Sequence, residues 1–236
     1  MNFWLASMGN RAWVIHARGK IDKAEKLYRK AIERGTTDAK VFAGLTSICV
    51  KRGDYDEAYR IITMGIEKSV VGAKNKMAIK SLTSQYVITL WKLGRLEEAI
   101  LEMEKIHEEL PSANSHGTLG YFYIEQGDNT GDYSKALEFN KKAVEYLDDD
   151  ATILDNLAQV YYRLGEMDSA EEYFRKALEE NAVQVDSLYY LAKVRLIKGD
   201  KAEAKQLVEK ALTRDISNTA TITREMVQKL KDEIEG

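Results

Sequence analysis

The chain has 236 residues, 44% hydrophobic and 31% charged, with a formal net charge of −3 at pH 7. That balance supplies enough apolar side chains for a core and excludes a disordered chain. With no basic surplus to meet phosphates, it argues against nucleic acid as a partner.

A single proline, Pro111, among abundant Ala, Glu, Lys and Leu favours long, uninterrupted helices. The first stretch, MNFWLASMGNRAWVIHA, is apolar but broken by Asn10 and Arg11, and it has neither the basic start nor the cleavage site of a signal peptide. No run approaches about 18 unbroken apolar residues, so no direct membrane insertion is expected. Cys49 is the one cysteine and cannot form an internal disulfide, which favours a reducing compartment, and a cytoplasmic location is the expectation. Phe3 and Trp4 stand so near the first residue that a piece of a larger protein is the other reading.

From Gly19 onward a phrase of Gly, four variable residues and Ala recurs: GKIDKA from Gly19, GDYDEA from Gly53, GRLEEA from Gly94, GDYSKA from Gly131, GEMDSA from Gly165 and GDKAEA from Gly199. The intervals are 34, 41, 37, 34 and 34 residues. Other positions keep step: Leu45, Tyr86, Leu157 and Leu191 stand eight residues before the glycine, and Ala31, Gly65, Ile106, Ala143, Ala177 and Ala211 stand twelve after it. Large residues at one offset and mostly small ones at another let neighbouring helices interlock. Apolar spacing is helical on both sides of each glycine, so each unit reads as helix, tight turn, helix. Glycine suits the left-handed cap that ends the first helix. Asp22, Asp56, Ser134 and Asp168 are placed to accept from the free amides that open the second.

This pattern resembles the tetratricopeptide repeat, best in LDNLAQVYYRLGEMDSAEEYFRKAL from Leu154 to Leu178. The resemblance covers nearly the whole chain and implies an all-α fold: a right-handed superhelix of six helix-turn-helix units plus a C-terminal capping helix. As a single solenoid domain over 1–236, its repeats fall near 5–38, 39–72, 73–112, 113–150, 151–184 and 185–218, with the cap at 219–235. Ile222, Met226, Leu230 and Ile234, four apart, form the cap's expected apolar stripe.

Two intervals are long. The seven extra residues of the 41-residue interval make about two helical turns, which predicts an elongated first helix in the third unit from Ala73 to Leu93, projecting roughly 10 Å. In the fourth unit Gly127-Asp128 and Gly131-Asp132 duplicate the turn pair, which predicts that Gly127 ends one helix and that the connector is longer by four residues.

Little else carries chemistry. Asp128, Asn129 and Asp132 suggest calcium ligands, but the next acid is Glu138, inside a helix, so no metal site is expected. His16, His107 and His116 lie far apart in sequence with no metal-ligand spacing. Cys49 occupies the slot of Leu90, Tyr123 and Tyr161 and reads as core. Asp148, Asp149 and Asp150 precede a helix and read as a cap. Neither an enzyme nor a cofactor is indicated.

The resemblance further implies a concave groove, lined by the first helices, that binds a peptide or helix of a partner protein. At the matching offsets stand Trp13, Trp91, Tyr121, Tyr162 and Tyr189, with Lys40, Lys51, Lys92, Arg163 and Lys193, and with the fewer acids Glu125, Asp155 and Asp186. Aromatic anchors and lysines suit a partner with acidic groups, although rings such as Trp91 and Tyr121 could equally pack between helices. The family's chaperone-tail clamp needs Lys and Asn at offsets where this chain has Gly9 and Trp13, or Ala43 and Ser47, which disfavours that specialised role. The leading expectation is a non-catalytic scaffold. The alternative is a self-associating module, joined through the apolar N-terminal edge of Phe3, Trp4 and Leu5.

Overall fold

A computed structural model of the chain describes the backbone of residues 3–70, 76–214, 216 and 221–236, and the side chains of residues 7–69, 82–214, 216 and 221–236. Thirteen α-helices and no strand are found among the described residues. The chain divides into two units, Met1–Ile106 and His107–Gly236. The first holds α1 (Phe3–Ala17), α2 (Ile21–Glu33), α3 (Ala39–Arg52), α4 (Tyr55–Val70), α5 (Lys76–Lys92) and most of α6 (Leu96–Glu109). The second holds α7 (Ala113–Thr130), α8 (Ser134–Tyr146), α9 (Ala151–Leu164), α10 (Met167–Glu180), α11 (Val185–Ile197), α12 (Lys201–Leu212) and α13 (Arg224–Glu235). The all-α expectation is met. Within the first unit α1 packs on α2 and α3, and α3 packs on α4 and α5; within the second, α7 packs on α8 and α9, and α9 packs on α10 and α11. First helices therefore meet first helices along each stack.

The six turn glycines all have φ between 73° and 84°, which explains why no other residue replaces them. The caps of the second helices differ from the expectation. Asp54 accepts from the Glu57 amide at 3.3 Å, Asp132 from the Ser134 amide at 2.9 Å, and Asp200 from the Glu203 amide at 3.0 Å. The capping acid is thus the residue directly after the glycine, within reach of the opening amides. Asp22 and Asp168 instead pair with Arg52 and Lys198 of the following hairpin, and Ser134 is a donor, not a cap. Asp150 does cap α9, accepting from the Thr152 and Ile153 amides.

Packing follows the large-and-small alternation. Leu45, Leu157 and Leu191 are buried, as are Ala31, Ala143, Ala177 and Ala211, whereas Tyr86 is half-buried. Where a side chain in one helix is unusually bulky, the facing residue has shrunk to glycine. A Cβ on Gly44 would lie 2.6 Å from the buried Tyr28 ring, and one on Gly65 would lie 2.6 and 2.7 Å from Cβ and Cγ of Phe42. Cys49 is buried among these residues, and burial pushes its thiol up to about 11.

The long intervals resolve differently from the reading of the sequence. α4 has 16 residues and α5 has 17, against 13 in α2 and 14 in α3, so the seven extra residues are not all in the third unit's first helix. The expected start at Ala73 lies outside the described residues. In the fourth unit the turn is not lengthened; the helix is. α7 runs through Gly127 to Thr130, and Gly131 alone takes the left-handed cap. Four added residues advance a helix by only about 40° beyond a full turn, so the packing face is retained. Gly127 is small for another reason: a Cβ there would lie 2.4 Å from Cδ1 of the Tyr133 ring.

The capping stripe holds at three of its four expected residues, with Val227 in place of Met226. α13 begins at Arg224, with Thr223 accepting from the Met226 amide, so Ile222 precedes the helix. Helical phase then places Val227, Leu230 and Ile234 inward, and Met226 is 36% exposed. Ile222 is nevertheless buried.

Candidate functional site

In the second unit the first helices α7, α9 and α11 bring five of the expected residues together. On α9, Tyr162 and Arg163 stand near the C-terminal end. On α11, Tyr189 is buried and Lys193 is half-buried. Tyr190 joins them: its ring lies 5.4 Å from Tyr162 and 5.2 Å from Tyr189, and it stacks on buried Phe174 at 5.9 Å with the planes 1° apart. The Lys193 ammonium lies 5.2, 5.6 and 5.8 Å from the centroids of Tyr162, Tyr189 and Tyr190. Burial pulls the Lys193 ammonium down, but the neighbouring tyrosines more than offset this and its pKa is raised. Tyr121 on α7 donates to Glu125 at 3.1 Å. Burial, then the Glu125 charge, raise its phenol far above the usual range, and Tyr190 and Arg163 are near enough to act on it.

Arg163 is not a free cation. Its Nε and Nη2 donate to the two carboxylate oxygens of Asp128 at 2.7 and 3.0 Å, a bidentate pair. Further bonds run to Gln159 and, at 3.2 Å, to the Tyr190 hydroxyl. Asp128 also accepts from the Tyr133 hydroxyl at 2.7 Å. Asp128 lies in the extra turn of α7, so the residues that resembled calcium ligands instead anchor a guanidinium of the next hairpin and, through Asp132, cap α8. Among the described residues no group of three His, Cys, Asp or Glu could hold a metal ion.

Toward the N-terminal ends of α9 and α11 the same face is acidic and buried. Asp155 is 3% exposed and accepts from the Ser187 hydroxyl at 2.5 Å and from Gln159 at 2.8 Å. Burial, with the Asp186 charge beside it, pushes its carboxyl up to about 7. Asp186 itself accepts from the Thr221 hydroxyl, just before α13.

The first unit carries the remaining expected residues. Trp13 on α1 is 57% exposed, and Lys51 is exposed near the end of α3. Burial first, and then the Lys51 charge, hold the His16 imidazole below its usual range. At the end of α5 the Lys92 ammonium sits 3.9 Å from the centroid of the Trp91 ring. Phe3, Trp4 and Leu5, the edge expected to self-associate, have side chains outside the described residues.

The sequence reading missed three features. Tyr190 sits one residue outside the offsets chosen for the groove. The Asp128–Arg163 pair spans 35 residues and depends on a helical turn that was read as a loop. His107 and His116, read as far apart, lie with ring centroids 4.4 Å apart because the α6–α7 connection folds them together beside Phe139. His107 bonds Ser115 at 3.0 Å, and His116 donates from Nδ1 to the Ser112 carbonyl at 3.0 Å. Burial and then the neighbouring His116 lower the pKa of His107.

These features define a helical-repeat protein with aromatic and ionic side chains gathered on the first helices of stacked hairpins. Sequence comparison is more specific. Models of the tetratricopeptide repeat match residues 4–36, 111–179 and 149–217, and the chain belongs to that family. It is similar to the photosystem I assembly protein Ycf3 of Synechococcus sp. (strain CC9605), 33% identical over 99 residues, covering 39% of this chain and 57% of the relative. It is also similar to the TPR repeat-containing protein MJ1428 of Methanocaldococcus jannaschii, 23% identical over 167 residues, covering 68% of this chain and 30% of that one. The chain thus spans little more than half of the first relative and under a third of the second. Among solved structures, PilW, a widely conserved type IV pilus biogenesis factor, matches with a TM-score of 0.71 at 15% identity, over 98% of this chain and 99% of that one. A tetratricopeptide repeat protein from Parabacteroides merdae matches with a TM-score of 0.59 at 14% identity, over 98% and 99%. At such identities the likeness shows the fold alone. No helix among the described residues is long and apolar enough to cross a membrane.

Proposed function

We propose that the chain is a non-catalytic, cytoplasmic scaffold that binds a peptide or helix of a partner protein on the face formed by α7, α9 and α11. The observation that carries this reading is the convergence of Tyr121, Tyr162, Tyr189 and Tyr190 with Lys193 from three successive first helices. Tyrosines present wide contact area at low rotamer cost, and an ammonium among them supplies a directional anchor. Arg163 is part of the same face but serves to hold it, through Asp128. Trp13, Lys51, Trp91 and Lys92 are the corresponding contact residues proposed for the first unit. The relationship to a photosystem I assembly protein is in keeping with work on other proteins, although the chain covers only part of that relative. The one thiol, Cys49, is a core group with a raised pKa and is a poor nucleophile.

The test is selection of binders from a displayed random-peptide library. Tyr162→Ala should abolish binding of the selected peptides, while Lys142→Ala on the exposed side of α8 should leave it unchanged. Peptides indifferent to Tyr162→Ala would refute the assignment of this face. Self-association is the second reading, favoured by the exposure of Trp13 and Val14 on α1. Light scattering of the native protein beside Trp13→Glu decides it, with a monomer at every concentration ruling it out.

A further inference from the structure

Lys193 differs from the other half-buried cations on α9 and α11. Arg163 meets Asp128, and Arg195 meets Glu171, Asp200 and Glu203. Lys193 has three tyrosine rings within 6 Å and no carboxylate at ion-pair distance among the described residues. A cation withdrawn partly from water and left without a counter-ion interacts strongly with an anion that reaches it. The nearby acids are already engaged, Asp155 by Ser187 and Gln159 and Asp186 by Thr221. Asp186 also lies seven residues before Lys193, about 10 Å along the helix. The face therefore has an acidic end and, at Lys193, a basic end that meets no carboxylate among the described residues.

We propose that the cluster of Tyr162, Tyr189, Tyr190 and Lys193 receives an Asp or Glu side chain of the segment that docks on this face. The proposal rests on the reading of the face as a partner-binding surface and adds the chemistry of the partner. The lining continues from Tyr190 past Arg163 to Tyr121 on α7, so a segment whose acidic side chain meets Lys193 has these residues to lie along. The rings on either side of the ammonium favour apolar or aromatic neighbours for the acidic residue.

The experiment is a random-peptide display in which each peptide's C-terminus is fused to the carrier, so that a selected acid must be a side chain. Selection on the whole 236-residue chain at low salt should give peptides sharing one Asp or Glu position. Lys193→Met should lose that preference, and Lys193→Glu should replace it with Lys or Arg. A synthetic wild-type-selected peptide should bind Lys193→Met about tenfold more weakly or worse, the loss of one partly desolvated ion pair. Lys193→Gln, which keeps a polar group of similar length, provides the same comparison if Lys193→Met unfolds. Binding peptides with no shared acidic position, or the same acidic position selected on Lys193→Met or Lys193→Gln, would overturn the proposal while leaving the docking face standing. Failure to select any peptide that responds to Tyr162→Ala would overturn both.

Discussion

Gly65 offers a substitution on which family pattern and packing disagree. Four of the other five equivalent positions carry alanine, so Gly65→Ala looks benign, and in a helix interior it gains about 1 kcal/mol from propensity alone. In α4, however, the new Cβ would stand 2.6 Å from Cβ and 2.7 Å from Cγ of Phe42, and 3.1 Å from Cδ2 of Leu82. Phe42 is fully buried and its Cβ cannot move without α3. Overpacking of this kind costs about 1–3 kcal/mol, rising toward the upper figure when backbone must shift. The expected result is a net loss of about 1 kcal/mol, the upper part of that cost less the propensity gain. The equivalent of Phe42 is Leu154 in α9 and Leu188 in α11. Leucine keeps the Cβ and Cγ that the new methyl would meet, so in a Phe42→Leu background Gly65→Ala should keep most of its penalty. Urea unfolding followed by circular dichroism measures the loss in both backgrounds, with the two substitutions expected to be close to additive. A higher midpoint for Gly65→Ala in the wild-type background would refute the steric account.

Asn140 is fully buried and donates to the Gly120 carbonyl at 3.2 Å, so Asn140→Ala should cost about 1–3 kcal/mol in thermal unfolding. Asp155 is held protonated in the fold up to about pH 7, whereas the unfolded chain releases that proton near 3.8. Its contribution is complete below about pH 4 and is lost as pH rises to about 7, so Asp155→Asn should flatten this decline in stability profiles measured across that window. Glu57 and Glu171, held down near 2 by arginine and lysine partners despite partial burial, act in the opposite sense: their contribution is present above about 4.5 and fades as pH falls toward 2. Cys49 should resist a thiol reagent in the native protein and react at once in urea; rapid native labelling would contradict its burial. Asp128→Ala leaves a largely buried guanidinium without its bidentate partner, and amide exchange in α9 should quicken relative to α12.

Much of the fold was legible because repetition averages away local ambiguity: six glycines in phase, with Ala and Leu at fixed offsets, leave little but stacked helix hairpins. The errors arose where a local signal had two meanings. Gly127 followed by Asp128 carries the same letters as a turn, yet nothing in those letters records that Tyr133 folds back over the bare Cα. A strict four-residue spacing from Ile222, which lies before the helix that Thr223 caps, put Met226 in the stripe where helical phase faces Val227 inward. For the candidate site, helical offset identified Tyr162, Tyr189 and Lys193 as neighbours, since offset fixes which way a side chain faces. It could not show which charges were already spoken for, because the Arg163–Asp128 and Asp155–Ser187 contacts join residues more than thirty positions apart. Pairing of that kind is a property of three-dimensional approach, not of spacing.

The added turn of α7 shows how a repeat array can be edited without being redesigned. An insertion close to one helical period lengthens a helix while leaving its seam in register, so neighbouring hairpins tolerate it. What it delivers is a carboxylate at the rim, reaching the guanidinium of the next hairpin and cancelling its charge. The electrostatic character of one repeat is thereby set by the length of the repeat before it. Excising residues 127–130 would leave the sequence of α9 untouched and yet return one positive charge to its surface, a change that no substitution within α9 would predict.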